Sequence, residues 1–250
     1  MSFISFSFVL FFAVLSIAYY GLPRRWQWPL LLVFSAFFYL AADLRYAVFL
    51  LVTVVSAYIA VCRMDSRLKA QEWHLAENKS LTREEKKSFR AGVKRRNRIT
   101  LTVCLVLNFS MLFFCKVLLL PGPAAAAEGT VISFLSLGLP LGMSFYLFQT
   151  MGYCIDVYRG KVRAEKSFVN VALYIAFFPQ LVAGPIVLYS EMIPQLKDPQ
   201  RRYWNWDNAA AGAYIFTVGL FKKTVIADTL ALFVDTGFGA TSLGFCAAWA

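Results

Sequence analysis

The feature that most constrains this chain is a series of apolar segments, each close to the length needed to cross a lipid bilayer. Residues 3–20 and 46–62 contain no charged side chain, and residues 99–120 contain one. About 20 apolar residues span the roughly 30 Å hydrocarbon core as a helix. Hydrophobic residues make up 59% of the chain and charged residues 16%. The sequence therefore predicts an all-α polytopic membrane protein, with residues 1–250 in a single membrane domain.

The basic residues lie between the apolar segments. Residues 63–98 hold 12 Lys or Arg and 5 Asp or Glu, which predicts a basic cytoplasmic loop by the positive-inside rule. Residues 159–166 are also basic, whereas residues 121–130 contain no Lys or Arg, so the pattern predicts an N-terminus outside the cell membrane. The formal net charge of +11 is explained by these topology signals, and no nucleic-acid partner is expected.

Three shorter patterns refine this topology. Thr82 precedes Glu85 by three residues, the spacing of a capping box, which predicts a short surface helix running through Arg96. The run KRRNR at residues 94–98 suits a topology signal, anionic lipid headgroups or a phosphorylated ligand. Residues 189–208 combine balanced charges with the aromatic run YWNW, which predicts an interfacial segment.

Two apolar segments, residues 131–155 and 168–188, contain residues that a lipid-facing helix avoids. Broken backbone and polar side chains at membrane depth are tolerated where protein or a water-filled cavity surrounds them. We therefore expect kinked or re-entrant helices around a substrate path. Asp156 and Arg159 are three residues apart and either form an ion pair or line an entrance. The candidate path residues are Gln149, Asp156, Tyr158, Arg159, Pro179, Gln180, Gly184 and Pro185.

No complete catalytic or metal-binding set of residues is present in the sequence. The only histidine, His74, has no cysteine or second histidine nearby and is expected to be a solvated loop residue. The five cysteines lack CxxC spacing and are expected to be reduced packing residues. Motifs for a nucleophilic serine, a metalloprotease or a phosphate-binding loop do not occur. We therefore predict no catalytic residue, no metal site and no bound cofactor.

The last part of the chain is again apolar. Residues 209–221 are too short to span a membrane alone and are expected to continue, through Lys222 and Lys223, into one longer helix that carries Asp228. The sequence stops at Ala250 within another apolar run. We therefore expect a truncated chain with an incomplete helical core.

Three ordered blocks resemble the N-terminal half of the membrane-bound O-acyltransferases, specifically the bacterial alginate O-acetyltransferase branch. The blocks are LPLGMSFYLFQTMGYCIDVYRGK, ALYIAFFPQLVAGPIVLYSEMIPQL and FTVGLFKKTVIADTLA. The resemblance implies a many-helix protein of the bacterial inner membrane, in which a histidine assists acetyl transfer from cytoplasmic acetyl-CoA to an exported polysaccharide such as alginate. It also implies membrane lipid and a periplasmic acetyltransferase subunit as partners. The family's blocks similar to FDFSGYSDMA and WRRWH are not found, so this chain alone is expected to be inactive.

Two other classes of membrane protein fit the same residues. A transporter or channel also uses broken helices and intramembrane polar groups, although no internal repeat relates the two halves of this chain. A non-catalytic scaffold subunit would explain the lack of a catalytic base.

Overall fold

A computed structural model describes residues 6–41, 44–78, 82–118, 142–181, 184–198 and 203–239. All regular secondary structure in these ranges is helical, which confirms the all-α class. The helices are α1 (Phe6–Gly21), α2 (Arg24–Leu40), α3 (Leu44–Glu77), α4 (Arg83–Leu118), α5 (Met143–Tyr158), α6 (Phe168–Ala176), α7 (Phe178–Leu181), α8 (Tyr189–Lys197), α9 (Trp206–Phe221) and α10 (Asp228–Gly239), with a π-helical segment (Lys222–Ala227) between the last two.

The described helices fall into two compact units. The described residues between 10 and 198 form the first unit, and residues 6–9 and 203–239 belong to the second. The first unit contains the buried core, in which α3, α4 and α5 pack together and α6, α7 and α8 close one side.

The two longest helices, α3 and α4, form a hairpin. Residues 63–98, the predicted basic loop, make up the half of this hairpin that lies beyond the apolar stretches, and we call it the outer half of the hairpin. Helices α3 and α4 have 34 and 36 residues, and both contain a stretch long and apolar enough to cross a membrane. At 1.5 Å per residue each helix is about 50 Å long, roughly 20 Å more than the hydrocarbon core requires. The predicted end of a short helix at Arg96 is wrong, because α4 continues without a break to Leu118.

The start of α4 confirms the predicted capping box. The backbone N–H of Thr82 donates to Glu85 Oε2 at 2.8 Å, and the N–H of Glu85 donates to Thr82 Oγ1 at 3.3 Å. These reciprocal bonds satisfy two of the amides that a helix N-terminus leaves unpaired. The backbone and side-chain hydrogen bonds from Thr82 hold the pKa of Glu85 below its ordinary value.

The segment predicted to be kinked or re-entrant is interrupted, as expected. Helix α6 ends at Ala176, α7 is a single turn, and residues 184–188 form no helix. A Cβ at Gly184 would lie 2.7 Å from the Cα of Gln180, so the return of the chain after α7 requires glycine. Pro179 lies in the first turn of α7, where its missing N–H costs no intrahelical hydrogen bond.

The second unit contains the predicted longer helix. Helix α9, the π-helical segment and α10 follow one another without a break, and Lys223 forms an ion pair with Asp228 across the π-helical segment. No residue of α9 is buried. The predicted interfacial segment, residues 189–208, contains α8 and the first turn of α9, and its position at a membrane surface stays a prediction.

Candidate functional site

Two of the predicted path residues, Gln149 and Gln180, are in direct contact inside the first unit. The side-chain amide of Gln149 donates to the carbonyl oxygen of Tyr174 at 2.9 Å and to Oε1 of Gln180 at 3.0 Å. Gln149 lies on α5 and is only 4% exposed. The helix break therefore brings together two amides that are 31 residues apart in sequence.

The break itself explains why a buried glutamine is needed at position 149. In a continuous helix the carbonyl of Tyr174 would accept from the N–H of Phe178, but α6 ends at Ala176. The N–H of Phe178 instead donates to Ser35 Oγ on α2 at 3.4 Å. The Tyr174 carbonyl is thus one of the unpaired groups at a helix C-terminus, and Gln149 supplies its donor.

A cavity of about 410 Å³ lies beside Gln180. Its walls are formed by Tyr19, Phe177, Gln180, Val187, Met192, Gln195 and Leu196. Oε1 of Gln180 accepts from Gln149, and Nε2 of Gln180 donates to Met192 Sδ at 3.7 Å. The pair therefore holds an oriented amide at the edge of a cavity that both polar and apolar side chains line.

A close backbone contact fixes α5 against α7. Gly142, at the start of α5, has a φ of 67°, and a Cβ there would lie 1.7 Å from the carbonyl oxygen of Leu181. Only glycine permits both the left-handed conformation and this approach. Gly142 therefore sets the distance between the helices that carry Gln149 and Gln180.

The remaining predicted path residues do not line this cavity. Pro179, Gly184 and Pro185 shape the interrupted backbone on either side of Gln180. Asp156, Tyr158 and Arg159 lie at the other end of α5, and Asp156 is about two helical turns from Gln149.

Asp156 and Arg159 were expected either to form an ion pair or to line an entrance. The structure forms no ion pair between these two described residues, and Arg159 is exposed. The backbone carbonyl of Asp156 accepts from the N–H of Lys161 at 3.0 Å, which closes the turn after α5.

Glu165 is the central residue that the sequence reasoning missed. Its carboxylate, on a side chain 12% exposed, accepts from Lys197 Nζ at 2.5 Å and from the hydroxyl of Tyr189 at 2.8 Å. Desolvation would raise the pKa of this carboxyl, but the hydrogen bonds from Lys197, Tyr189 and the Ser167 amide outweigh it and lower the pKa to about 2. Glu165 therefore stays ionised and holds α8 to the loop after α5.

Three buried tyrosines connect the Glu165 contacts to the Gln149–Gln180 pair. Tyr153 and Tyr189 stack with centroids 4.3 Å apart, and Tyr174 lies edge-on to Tyr189 at 5.1 Å. The Tyr153 hydroxyl accepts from the N–H of Glu165 at 2.9 Å, and the Tyr174 hydroxyl donates to the carbonyl of Val187 at 2.9 Å. A tyrosine in an apolar segment needs such a partner, and this was the available sequence signal.

His74 lies on α3 and not in a loop, which corrects the expectation for this residue. Its ring stacks on Phe89 of α4, with centroids 4.6 Å apart, in the outer half of the hairpin. Within the described ranges, no group of three His, Cys, Asp or Glu side chains could hold a metal ion. The thiols of Cys104, Cys115 and Cys154 are buried and free, while Cys246 lies outside the described residues.

Comparison with known sequences identifies the segment that contains Gln180. Residues 161–241 match the model of the MBOAT, membrane-bound O-acyltransferase, family. The family resemblance is thereby confirmed over this part of the chain. We call residues 161–241 the MBOAT segment. It contains Glu165, Tyr174, Gln180 and Tyr189, whereas Gln149 and Tyr153 precede it.

Relatives of known name match parts of the chain. The peptidoglycan O-acetyltransferase of Helicobacter pylori is 44% identical over 140 residues, covering 46% of this chain and 27% of the relative. A probable alginate O-acetylase of Pseudomonas putida is 39% identical over 100 residues, covering 40% of this chain and 20% of the relative. The corresponding Pseudomonas aeruginosa protein is 40% identical over 100 residues, covering 40% and 19%. No solved structure matches the chain.

The residues that line the cavity, six of the seven from the MBOAT segment, can contact a ligand by hydrogen bonding and packing. None of the seven lining residues is a general base at neutral pH. The Gln180 amide can donate to a carbonyl or another oxygen of a ligand, and the apolar walls can exclude water.

Proposed function

We propose that this chain forms the N-terminal part of an O-acyltransferase that acetylates an exported polysaccharide. The match of residues 161–241 to the MBOAT family and the names of the relatives support this proposal. Those names refer to two different acceptors, peptidoglycan and alginate. The ordered blocks favour alginate, and the proposed location is the bacterial inner membrane with the N-terminus outside.

The proposed reaction takes an acetyl group from acetyl-CoA on the cytoplasmic side and passes it across the membrane. By resemblance, a periplasmic acetyltransferase subunit completes the transfer, and the catalytic histidine belongs to sequence blocks that this chain does not contain. The role proposed for this chain is therefore to form one wall of the path. We place Asp156, Tyr158 and Arg159 at the basic end of that path, beside residues 159–166.

The observation that carries this role is the Gln149–Gln180 pair at the edge of the cavity. Acyl transfer gains from donors that are already oriented toward the acyl carbonyl. The hydrogen bond from Gln149 orients Gln180, and the cavity volume of about 410 Å³ is in the usual range for small-ligand sites.

The test is Gln180→Glu in the full-length gene product, expressed in its own membrane. Glutamate keeps an acceptor for Gln149 but removes the donor that faces the cavity, so we expect O-acetylation of the polysaccharide to fall at least about tenfold. Gln71→Glu, on the outer half of α3, is the matched control and should leave acetylation unchanged. Acetylation at the wild-type level in Gln180→Glu, at equal membrane abundance, would remove Gln180 from the path.

A further inference from the structure

The first unit has a boundary at which basic residues begin on three neighbouring segments. On α3 the first Lys or Arg after the apolar stretch is Arg63, and on α4 the last one before the apolar stretch is Arg98. Helix α5 contains no Lys or Arg, and the first basic residue that follows it is Arg159. These three positions are far apart in the sequence.

Side-chain contacts place Arg63 and Arg98 at one height. Between α3 and α4, Asn97 Nδ2 donates to the carbonyl of Met64 at 3.3 Å, next to Arg63 and Arg98. Deeper in the core, Asn108 Nδ2 donates to Ser56 Oγ at 3.0 Å, so the two helices run antiparallel.

The third segment joins at the same level. The hydroxyl of Tyr58 donates to the carbonyl of Lys166 at 2.8 Å, and Cys62 Sγ lies 3.9 Å from the carbonyl of Glu165. Arg163 Nη2 bonds Glu72 on α3 at 2.6 Å. The two basic segments of the first unit, residues 63–98 and 159–166, therefore lie on the same side of the apolar core.

Three of the cations at this boundary lie on one flank of α4, turned by different angles from the side that faces α3. Asn97 is 1% exposed and faces α3, which fixes the rotation of α4. At 100° per residue, Lys94, Arg98 and Arg95 lie about 60°, 100° and 160° from Asn97 in the same sense. All three are exposed.

Among the described residues, no acidic side chain forms an ion pair with these three cations. The nearby acids of α3 already have partners, because Asp65 pairs with Lys69 and Arg163, and Glu72 pairs with Arg163. Within the described residues, Lys94, Arg95 and Arg98 form no ion pair.

We propose that Lys94, Arg95 and Arg98 bind the phosphate of an anionic phospholipid at the membrane surface. The three α4 cations lie within about 8 Å of the apolar boundary along the helix axis. At this distance the field of anionic headgroups acts on each cation, and a guanidinium can bind a phosphate through two hydrogen bonds. This site is independent of the acyl transfer proposed above.

The distance along α4 distinguishes a lipid from a soluble polyanion. Arg83 and Lys87 are equally exposed, but they lie about 18–24 Å beyond the boundary, more than two Debye lengths at physiological salt. A headgroup fixed in the membrane would use only the near cations. A soluble polyanion would use near and distant cations alike.

The experiment measures binding of phosphatidylglycerol to the purified full-length protein in detergent micelles, by native mass spectrometry. We expect Arg95→Gln with Arg98→Gln to weaken binding about 25-fold, from roughly fivefold for each cation removed near a membrane surface. The matched control, Arg83→Gln with Lys87→Gln, removes the same charge from the same helix and should change binding less than twofold. Arg95→Lys with Arg98→Lys keeps the charge and should retain most of the affinity.

Equal losses in the near and distant double variants, or no loss in the near one, would overturn the proposal. Displacement of phosphatidylglycerol by millimolar inorganic phosphate would also overturn it, since it would indicate a site for soluble phosphate. Circular dichroism and thermal unfolding of each variant show whether it is folded, and the Arg-to-Lys variant separates loss of charge from loss of fold.

Discussion

Helices α5 and α9 have the same length and are both apolar, yet their surroundings are opposite. Each has 16 residues, of which nine are buried in α5 and none in α9. The buried face of α5 includes Gln149 and Thr150, whereas the exposed face of α9 includes Tyr214 and Ile215. The comparison shows that apolar content does not decide which helix joins the core. The helices differ in where their polar side chains find partners: Gln149 and Tyr153 of α5 bond to other segments, whereas Thr217 of α9 bonds to its own helix.

The largest effect on stability is expected from replacing a glycine, Gly142 at the start of α5, and this replacement is compared with that of Gly212 in α9. Gly142→Ala places a Cβ against the Leu181 carbonyl at a φ of 67°, so we expect it to destabilise the first unit by about 3–5 kcal/mol. Gly212→Ala in α9 meets no atom within 4 Å and should stabilise its helix slightly. Thermal unfolding of the full-length protein in detergent measures both. Equal melting temperatures would contradict the contact between α5 and α7.

The next effect concerns one acidic residue from each unit. Glu165→Ala removes a largely buried carboxylate, breaks its ion pair with Lys197 and leaves the Tyr189 hydroxyl without this acceptor, which should cost about 3 kcal/mol. Asp228→Ala removes the exposed ion pair with Lys223 and should cost less than about 1 kcal/mol. The difference in melting temperature between these variants is the measurement. A larger loss in Asp228→Ala would invert the comparison.

The Glu165 contact also predicts a pH dependence. Because its folded-state pKa is lowered to about 2, the carboxylate stabilises the fold fully above its ordinary pKa. That contribution is lost as the pH falls from about 4.5 toward 2. The difference between the melting temperatures of the wild-type protein and of Glu165→Gln should therefore be largest near pH 6, clearly smaller near pH 3, and lost only as the pH approaches 2. A constant difference across this range would show that ionised Glu165 does not stabilise the fold.

The smallest effect is expected for the removal of one hydrogen-bonding side chain from each helix. Gln149→Ala leaves the Tyr174 carbonyl and Gln180 Oε1 without their buried donor, which should cost about 2 kcal/mol. Thr217→Ala in α9 removes an exposed bond to the Ala213 carbonyl, and its cost should stay within about 0.5 kcal/mol. Unfolding of both variants under one set of conditions tests the ranking. Similar costs would mean that the break after α6 does not need Gln149.

Part of the candidate site could be predicted because its signals are local. Pro179, Gly184 and Pro185 mark the interruption directly, and an uncharged segment that contains Gln149 and Gln180 indicates polar groups that need protein partners. Glu165 could not be found in this way, because it lies in a basic loop where a carboxylate is ordinary. His74 was misplaced because its helix is an extension of a membrane-length helix, and composition alone suggested a loop.

By itself the sequence determined the all-α class, the capping box at Thr82, an interruption within residues 168–188 and the resemblance to a family that the match of residues 161–241 confirms. Each of these depends on side chains within a few residues of one another or on a pattern along the chain. Only the tertiary structure decided that Gln149 meets Gln180, that Glu165 holds α8, and that residues 63–98 and 159–166 lie on the same side of the core. These contacts join residues far apart in sequence, and which of them form depends on how the helices pack.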